Sequence, residues 1–359
     1  MNYAQNYGGV LQSYGLLKHL EKLGHDVEII NYRNSGVNSI GSIVSKMERR
    51  LKSESKPAQN KLPKRPLTEK YLQNFKDFKT NQLSYTSLTD ENDISRICSD
   101  FDVVIVGSDQ IWNDVYTNKL AYYFDWEYSG KKIAYAACTI LEQAPASRSH
   151  KLKRLLNGFD KITVRDNNTS NYVRGLINIT PDLVVDPSCL HNYSEFIGTN
   201  PIGKPYILTY ILSGEISGSN RNAIQLIKQN MGDISVVSVC IPSVSVAAQS
   251  ISDIMLEEAT PIDWVNLFYH ASFVYTDSFH GIMFSMKYQR PFIAYMKDGQ
   301  RKSRLQDLIE RYNLGNIVTD VNQIPQVFKN GIIDYSVVGS RLTLETERSI
   351  SILNSAIND

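Results

Sequence analysis

Short apolar runs rich in β-branched and aromatic residues recur along the chain. They are Phe101–Val106, Lys132–Cys138, Lys161–Val164, Leu183–Val185, Tyr206–Leu212, Ile234–Cys240, Phe273–Thr276 and Pro291–Tyr295. Many are apolar nearly throughout, as strands covered on both faces of a parallel sheet are. Between them lie stretches with helical spacing, Ile216–Asn230, Pro261–His270 and Ser303–Tyr312, and the chain closes on an amphipathic helix over Arg341–Ile357. Strands and helices alternating in this way predict open, doubly wound α/β sheets.

Two such series can be separated, and 359 residues fit two domains better than one or three. The expected division is an N-terminal Rossmann-like domain over 1–190, a linker over 191–204 containing Gly198, Pro201 and Gly203, a C-terminal Rossmann-like domain over 205–340 and the closing helix over 341–359. One feature departs from the pattern. A doubly wound domain ordinarily opens on a strand, whereas here a loop-like start runs straight into a helix, so the first N-terminal strand is expected to be missing from this sequence.

Composition narrows the function. Hydrophobic content of 42% and charged content of 21% allow a large core. The formal net charge of +1 gives no global reason to expect nucleic acid as a partner, so any anion site must be local. No apolar run reaches the roughly 18 to 20 residues of a membrane-spanning helix, and no signal peptide opens the chain. Cys98, Cys138, Cys189 and Cys240 are too widely spaced for a zinc site or a small disulfide scaffold, which favours reduced thiols in the cytoplasm. An insertion over about 35–95 contains a basic island at 46–70, with nine Lys/Arg against three Glu. It reads as a solvated insertion, with docking on the inner face of an anionic membrane as the alternative.

Four segments carry candidate chemistry. After the apolar run Val103–Val106 come Gly107, Ser108, Asp109, Gln110, Ile111, Trp112 and Asn113. Ligands in open α/β sheets bind beyond the carboxyl ends of strands. The polar groups of Ser108, Asp109, Gln110 and Asn113 suit a hydroxyl-rich ligand, on whose ring Trp112 could stack. The structural alternative is a capping turn with Trp112 in the core. Asn6, Tyr7, Gly8, Gly9 and Gln12 open a helix whose free amides suit an anion or a hydroxyl, although paired glycines also serve loop geometry. Arg165 ends a strand and matches a carboxylate or phosphate, unless it forms a structural ion pair with Asp166 or Asp186. In the fourth, Asp277, Ser278, His280 and Gly281 stand where a strand turns into a helix. A histidine there can transfer a proton near neutral pH beside amides that hold an anion. Downstream, Lys297, Arg301, Lys302 and Arg304 offer cations at the same sheet edge, some of them simply solvated. Phosphate-loop, dinucleotide, zinc-helix and nucleophile-elbow signatures are absent.

Taken together, Asn6–Gln12, Val104–Trp112, Val164-Arg165-Asp166 with Val185-Asp186-Pro187, and Thr276–Gly281 with Pro291-Phe292 resemble the polysaccharide pyruvyl transferase family. Ala137-Cys138-Thr139 departs from the family's usual run. The resemblance implies two Rossmann-like domains facing a cleft, similar to the GT-B glycosyltransferase arrangement. It also implies transfer of a pyruvyl group from phosphoenolpyruvate to a saccharide acceptor, with neither cofactor nor metal. His280 is then the expected acid and Asp109 the base or orienter. Arg165, Asp277, Ser278, Gly281, Arg301, Lys302 and Arg304 fall on the donor side. Asn6, Tyr7, Gln12, Ser108, Gln110, Trp112 and Asn113 fall on the acceptor side, where a lipid-linked sugar would bring peripheral membrane association. Competing readings are a sugar-nucleotide glycosyltransferase and a non-catalytic glycan-binding protein of a polysaccharide cluster.

Overall fold

The structure, a computed structural model, describes residues 5–33, 66–113, 120–242, 244–297 and 302–359. Its frame is a pair of all-parallel sheets. The first half of the chain runs through helices α1 (Tyr7–Lys22), α2 (Glu69–Gln82) and α3 (Ile94–Cys98). It continues through β1 (Val103–Val106), β2 (Lys131–Ala137), α4 (Ser149–Leu156), β3 (Lys161–Val164), α5 (Asn167–Ile177) and β4 (Asp182–Leu183). The four strands pair side by side in chain order. Upstream of them, Ile29 and Tyr32 make isolated parallel bridges to Tyr85 and Thr89. No strand precedes α1 among the described residues, and the basic island lies outside them up to position 65.

The second half contains β5 (Tyr206–Tyr210), α6 (Asn220–Met231), β6 (Ser235–Val239), β7 (Ile254–Leu256), α7 (Pro261–His270), β8 (Phe273–Thr276) and α8 (Phe279–Lys287). After these come β9 (Phe292–Tyr295), α9 (Lys302–Tyr312), β10 (Ile317–Val318), α10 (Ile324–Lys329) and α11 (Tyr335–Asn358). Its strand order is β10-β9-β8-β5-β6-β7. The direction of winding therefore reverses between β5 and β8, and the crevice beyond those two carboxyl ends is where such sheets bind ligands. Strands β5, β8 and β9 are buried along their whole length, which is why they read as continuous apolar runs.

Local chemistry fixes the helix starts. Thr260 and Asp263 form a reciprocal capping box around Pro261, so α7 begins where proline's missing N–H costs nothing. Segment 191–204 is mostly exposed and is pinned to the core by Tyr193, which is fully buried near Tyr14 and Phe284, and by Phe196. Helix α11 starts at Tyr335, six residues earlier than its amphipathic pattern indicated, and ties the halves together. It packs on α8, while Ser349 Oγ accepts from Val185 N at 3.0 Å and the carbonyl of Ile357 accepts from Lys131 Nζ at 2.8 Å. No described helix is long and apolar enough to cross a membrane.

Candidate active site

Strand ends from both sheets deliver side chains to one buried cluster. Arg165 follows β3 and is the hub. Its Nη1 donates to Asp186 Oδ2 at 2.6 Å, and its Nη2 donates to Asp109 Oδ1 at 3.2 Å and to Cys138 Sγ at 3.1 Å. The guanidinium lies over the Phe279 ring, 4.2 Å from its centroid, so an N-terminal cation rests on a C-terminal aromatic. Burial opposes the charge on Arg165, but Cys138, Asp186, Asp109 and Asp166 around it raise its pKa well above the ordinary value. Burial likewise pushes the Asp186 carboxyl up; His280, Arg165 and Ser188 outweigh that and hold its pKa below the usual 3.8.

His280 meets this cluster from the opposite half. Its Nε2 lies 3.8 Å from Asp186 Oδ2. Two glycines make the approach possible. A Cβ on Gly8 would fall 2.2 Å from His280 Cγ and Nδ1, and one on Gly281 would fall 2.4 Å from Thr276 Oγ1. The first turn of α1 is thus pressed against the imidazole, and only glycine fits there. Ser278 caps α8, its Oγ accepting from Gly281 N at 3.3 Å.

The remaining expected residues fall into distinct places. Asp277 accepts from Leu212 N at 2.7 Å and from the Ser213 hydroxyl, joining the loops after β5 and β8 at the switch point. A carboxylate held this way positions the two loops relative to each other. Trp112 is fully buried, stacked on Tyr123, with Nε1 donating to the Tyr122 carbonyl. Tyr7 is equally buried, stacks on Trp264 and donates to the Ala259 carbonyl. Neither ring has a face left for a sugar, and both are corrected to core.

Asn6 caps α1, its side chain accepting from Gly9 N at 3.3 Å. Gln12, one turn further on, is buried, and its Oε1 has no hydrogen-bond partner among the described residues. Ser108 donates to Asp186 Oδ2 at 3.5 Å, and Gln110 and Asn113 are buried beside it in chain order. Arg301 lies outside the described residues, as do the side chains of Lys302 and Arg304. The exposed Lys297 reaches the loop after β5, its Nζ 3.1 Å from where a Gly214 Cβ would sit. No group of three or more His, Cys, Asp or Glu side chains is placed to hold a metal among the described residues.

Sequence reasoning undervalued Asp186, which it treated only as a partner for Arg165. Its signal was a lone carboxylate at the end of the apolar run Leu183–Val185, where an unpaired charge would be costly. Cys138 and Phe279, the other two groups on Arg165, carried no such signal.

The fold and the cluster define a two-domain protein of the GT-B type, with its polar centre between two Rossmann-like sheets. Among solved structures it is similar to S. aureus MnaA in complex with UDP (14% identity, 98% of this chain and 94% of that one, TM-score 0.51). It is similar also to UDP-GlcNAc 2-epimerase from Neisseria meningitidis bound to UDP-GlcNAc (12% identity, 97% and 96%, TM-score 0.50). The chain belongs to the polysaccharide pyruvyl transferase family, whose model matches residues 6–297. No curated protein matches it.

Proposed function

We propose that this protein transfers the pyruvyl group of phosphoenolpyruvate to two hydroxyls of a saccharide, forming a cyclic ketal and releasing phosphate. The observation that carries the reading is His280 of one half held against Asp186 of the other at the crevice between the sheets. His280 gives its proton to the methylene carbon of phosphoenolpyruvate, and Asp186 stabilises the imidazolium before transfer. The adjacent carbon becomes oxocarbenium-like and one saccharide hydroxyl adds to it. Cleavage of the carbon–oxygen bond releases phosphate, and the second hydroxyl closes the ketal. One hydroxyl proton is in effect moved to the new methyl group and the other leaves with phosphate.

Asp109 is the base or orienter for the hydroxyls: its side chain is 21% exposed, against 2% for Arg165 and 0% for Asp186. One guanidinium facing two carboxylates leaves no excess positive charge in the cluster. Arg165 therefore acts through Asp186 and Asp109 rather than on the donor. The donor's carboxylate and phosphate fall to Lys297 at the switch point, with Arg301, Lys302 and Arg304 following it in the chain. Gln12 and Ser108 supply polar atoms toward the acceptor.

The shared architecture with UDP-binding structures keeps one second reading, a sugar-nucleotide glycosyltransferase. Thermal unfolding separates the two. Phosphoenolpyruvate at 100 times its Kd raises stability by about 2.7 kcal/mol, because it binds only the folded chain. Stabilisation by UDP-sugars with none by phosphoenolpyruvate would reverse the assignment.

A further inference from the structure

The ladder that joins β3 to β4 stops just short of the reaction centre. The rung nearest Asp186 is Val184 N donating to the Val164 carbonyl at 3.0 Å, and β4 is the edge strand of its sheet. Beyond that rung, side chains from the C-terminal half meet the backbone. Arg311, near the end of α9, donates from Nη1 to the carbonyls of Arg165 at 3.3 Å and Val184 at 3.4 Å. Ser349 of α11 accepts from Val185 N at 3.0 Å. The next residue is Asp186, whose carboxylate bonds Arg165 and lies 3.8 Å from His280 Nε2.

Glu345 of α11 holds these side chains in turn. Its carboxylate accepts from Arg311 Nε and from Tyr312 Oη, both at 2.6 Å, and its carbonyl accepts from Ser349 Oγ at 2.6 Å. One turn before Arg311, Asp307 Oδ1 accepts from the backbone and side-chain N–H groups of Asn167 at 2.9 Å each. Helix α9 thus grips the chain on both sides of the Arg165–Asp186 pair. The Arg311 side chain is only 12% exposed, so carbonyls left without it would lose a partner that water could not fully replace. A guanidinium suits the place because its spread of donors serves a carboxylate on one side and two carbonyls on the other.

We infer that Arg311 is a positioning residue for pyruvyl transfer: it fixes the ends of β3 and β4 so that Asp186 stands at His280, with Ser349 sharing the task. The inference rests on the reaction proposed above and adds a residue that acts through Asp186. Displacing a reacting group by about 1 Å costs on the order of 100-fold in rate, so a loosened strand end is felt in turnover.

Kinetics and hydrogen exchange on the full chain test it. The kinetic assay uses phosphoenolpyruvate and one saccharide acceptor on which the wild type releases phosphate. Arg311→Met should lower kcat about ten-fold or more while KM for phosphoenolpyruvate stays within about two-fold. Arg311→Lys should recover part of the loss. Ser349→Ala removes one hydroxyl and no ion pair; it should lower kcat in the same sense, and it replaces Arg311→Met should that variant not fold. Arg341→Gln takes the other, exposed cation off Glu345 and should leave kcat unchanged. Wild-type kcat in whichever of Arg311→Met and Ser349→Ala folds, or an equal loss in Arg341→Gln, would overturn the inference. Hydrogen exchange needs no substrate. In the ligand-free chain, the amides of Val184 and Val185 should exchange about ten-fold or more faster in the same variant, with the other core strands unchanged. Unchanged exchange at those amides would overturn the inference whatever the donor. A wild type that releases no phosphate from phosphoenolpyruvate would instead remove the pyruvyl-transfer reading, and exchange would still decide whether Arg311 holds the strand ends.

Discussion

Replacing His280 by glutamine lowers phosphate release from phosphoenolpyruvate plus acceptor by at least about 100-fold, within the range that a positioned acid contributes. Glutamine keeps a planar polar group against Gly8, so the crowded contact with α1 is retained. What it loses is the transferable proton. The effect should therefore fall on kcat rather than on KM for the donor, since the missing interaction is made only in the transition state. Asp186→Asn should give a smaller loss in the same direction, because the amide no longer stabilises the imidazolium. Near-normal turnover by the His280→Gln variant would take histidine out of the mechanism.

Arg165→Met destabilises the fold by about 3–5 kcal/mol, the usual cost of removing one partner from a buried ion pair. The substitution leaves Asp186 fully buried with its 2.6 Å partner gone, and releases Asp109 and Phe279 at the same time. Arg165→Lys restores the charge but not the fork, since one ammonium cannot replace two separate N–H groups aimed at two carboxylates. It should recover only part of the stability. Urea unfolding measures both, and a change below about 1 kcal/mol for Arg165→Met would contradict the buried-pair account.

Acid dependence follows from the same pair. The folded Asp186 carboxyl has its pKa depressed below 3.8, so its contribution is complete above the unfolded value and disappears as pH falls through the folded one. Wild type and Arg165→Met should begin to converge in stability as pH falls below about 4, and meet only below the depressed folded pKa of Asp186.

Much of the frame was legible because both faces of its central strands are covered. Lys161–Val164 and Phe273–Thr276 stand where the apolar runs placed them, and Pro261–His270 is bounded by its capping residues. Two edge strands escaped. Ile254–Leu256 is only half-buried and Ile317–Val318 is two residues long, so neither leaves an apolar run distinct from its surroundings. Helix Glu69–Gln82 was obscured by the adjacent basic stretch, although Tyr71, Phe75 and Phe78 mark its buried side.

In the site, residue types were easier to read than directions. Strand ends announced Ser108, Asp109, Arg165 and His280, because polar groups after a buried strand have little structural reason to gather there. Trp112 and Tyr7 lie in equally suggestive segments, yet their rings turn into aromatic clusters. Nothing in the local sequence says which way a tryptophan faces. The ion pair around Arg165 joins four separated segments, and only the folded chain shows that its charge is already balanced.

The central claim is that a protein acid protonates the methylene carbon of phosphoenolpyruvate. Running the reaction to completion in D₂O and examining the ketal by NMR and mass spectrometry tests it directly. The account predicts a ketal methyl group carrying a single deuterium, formed in step with phosphate release and lost in the His280→Gln variant. A ketal methyl without deuterium, or phosphate release with no ketal, would contradict it.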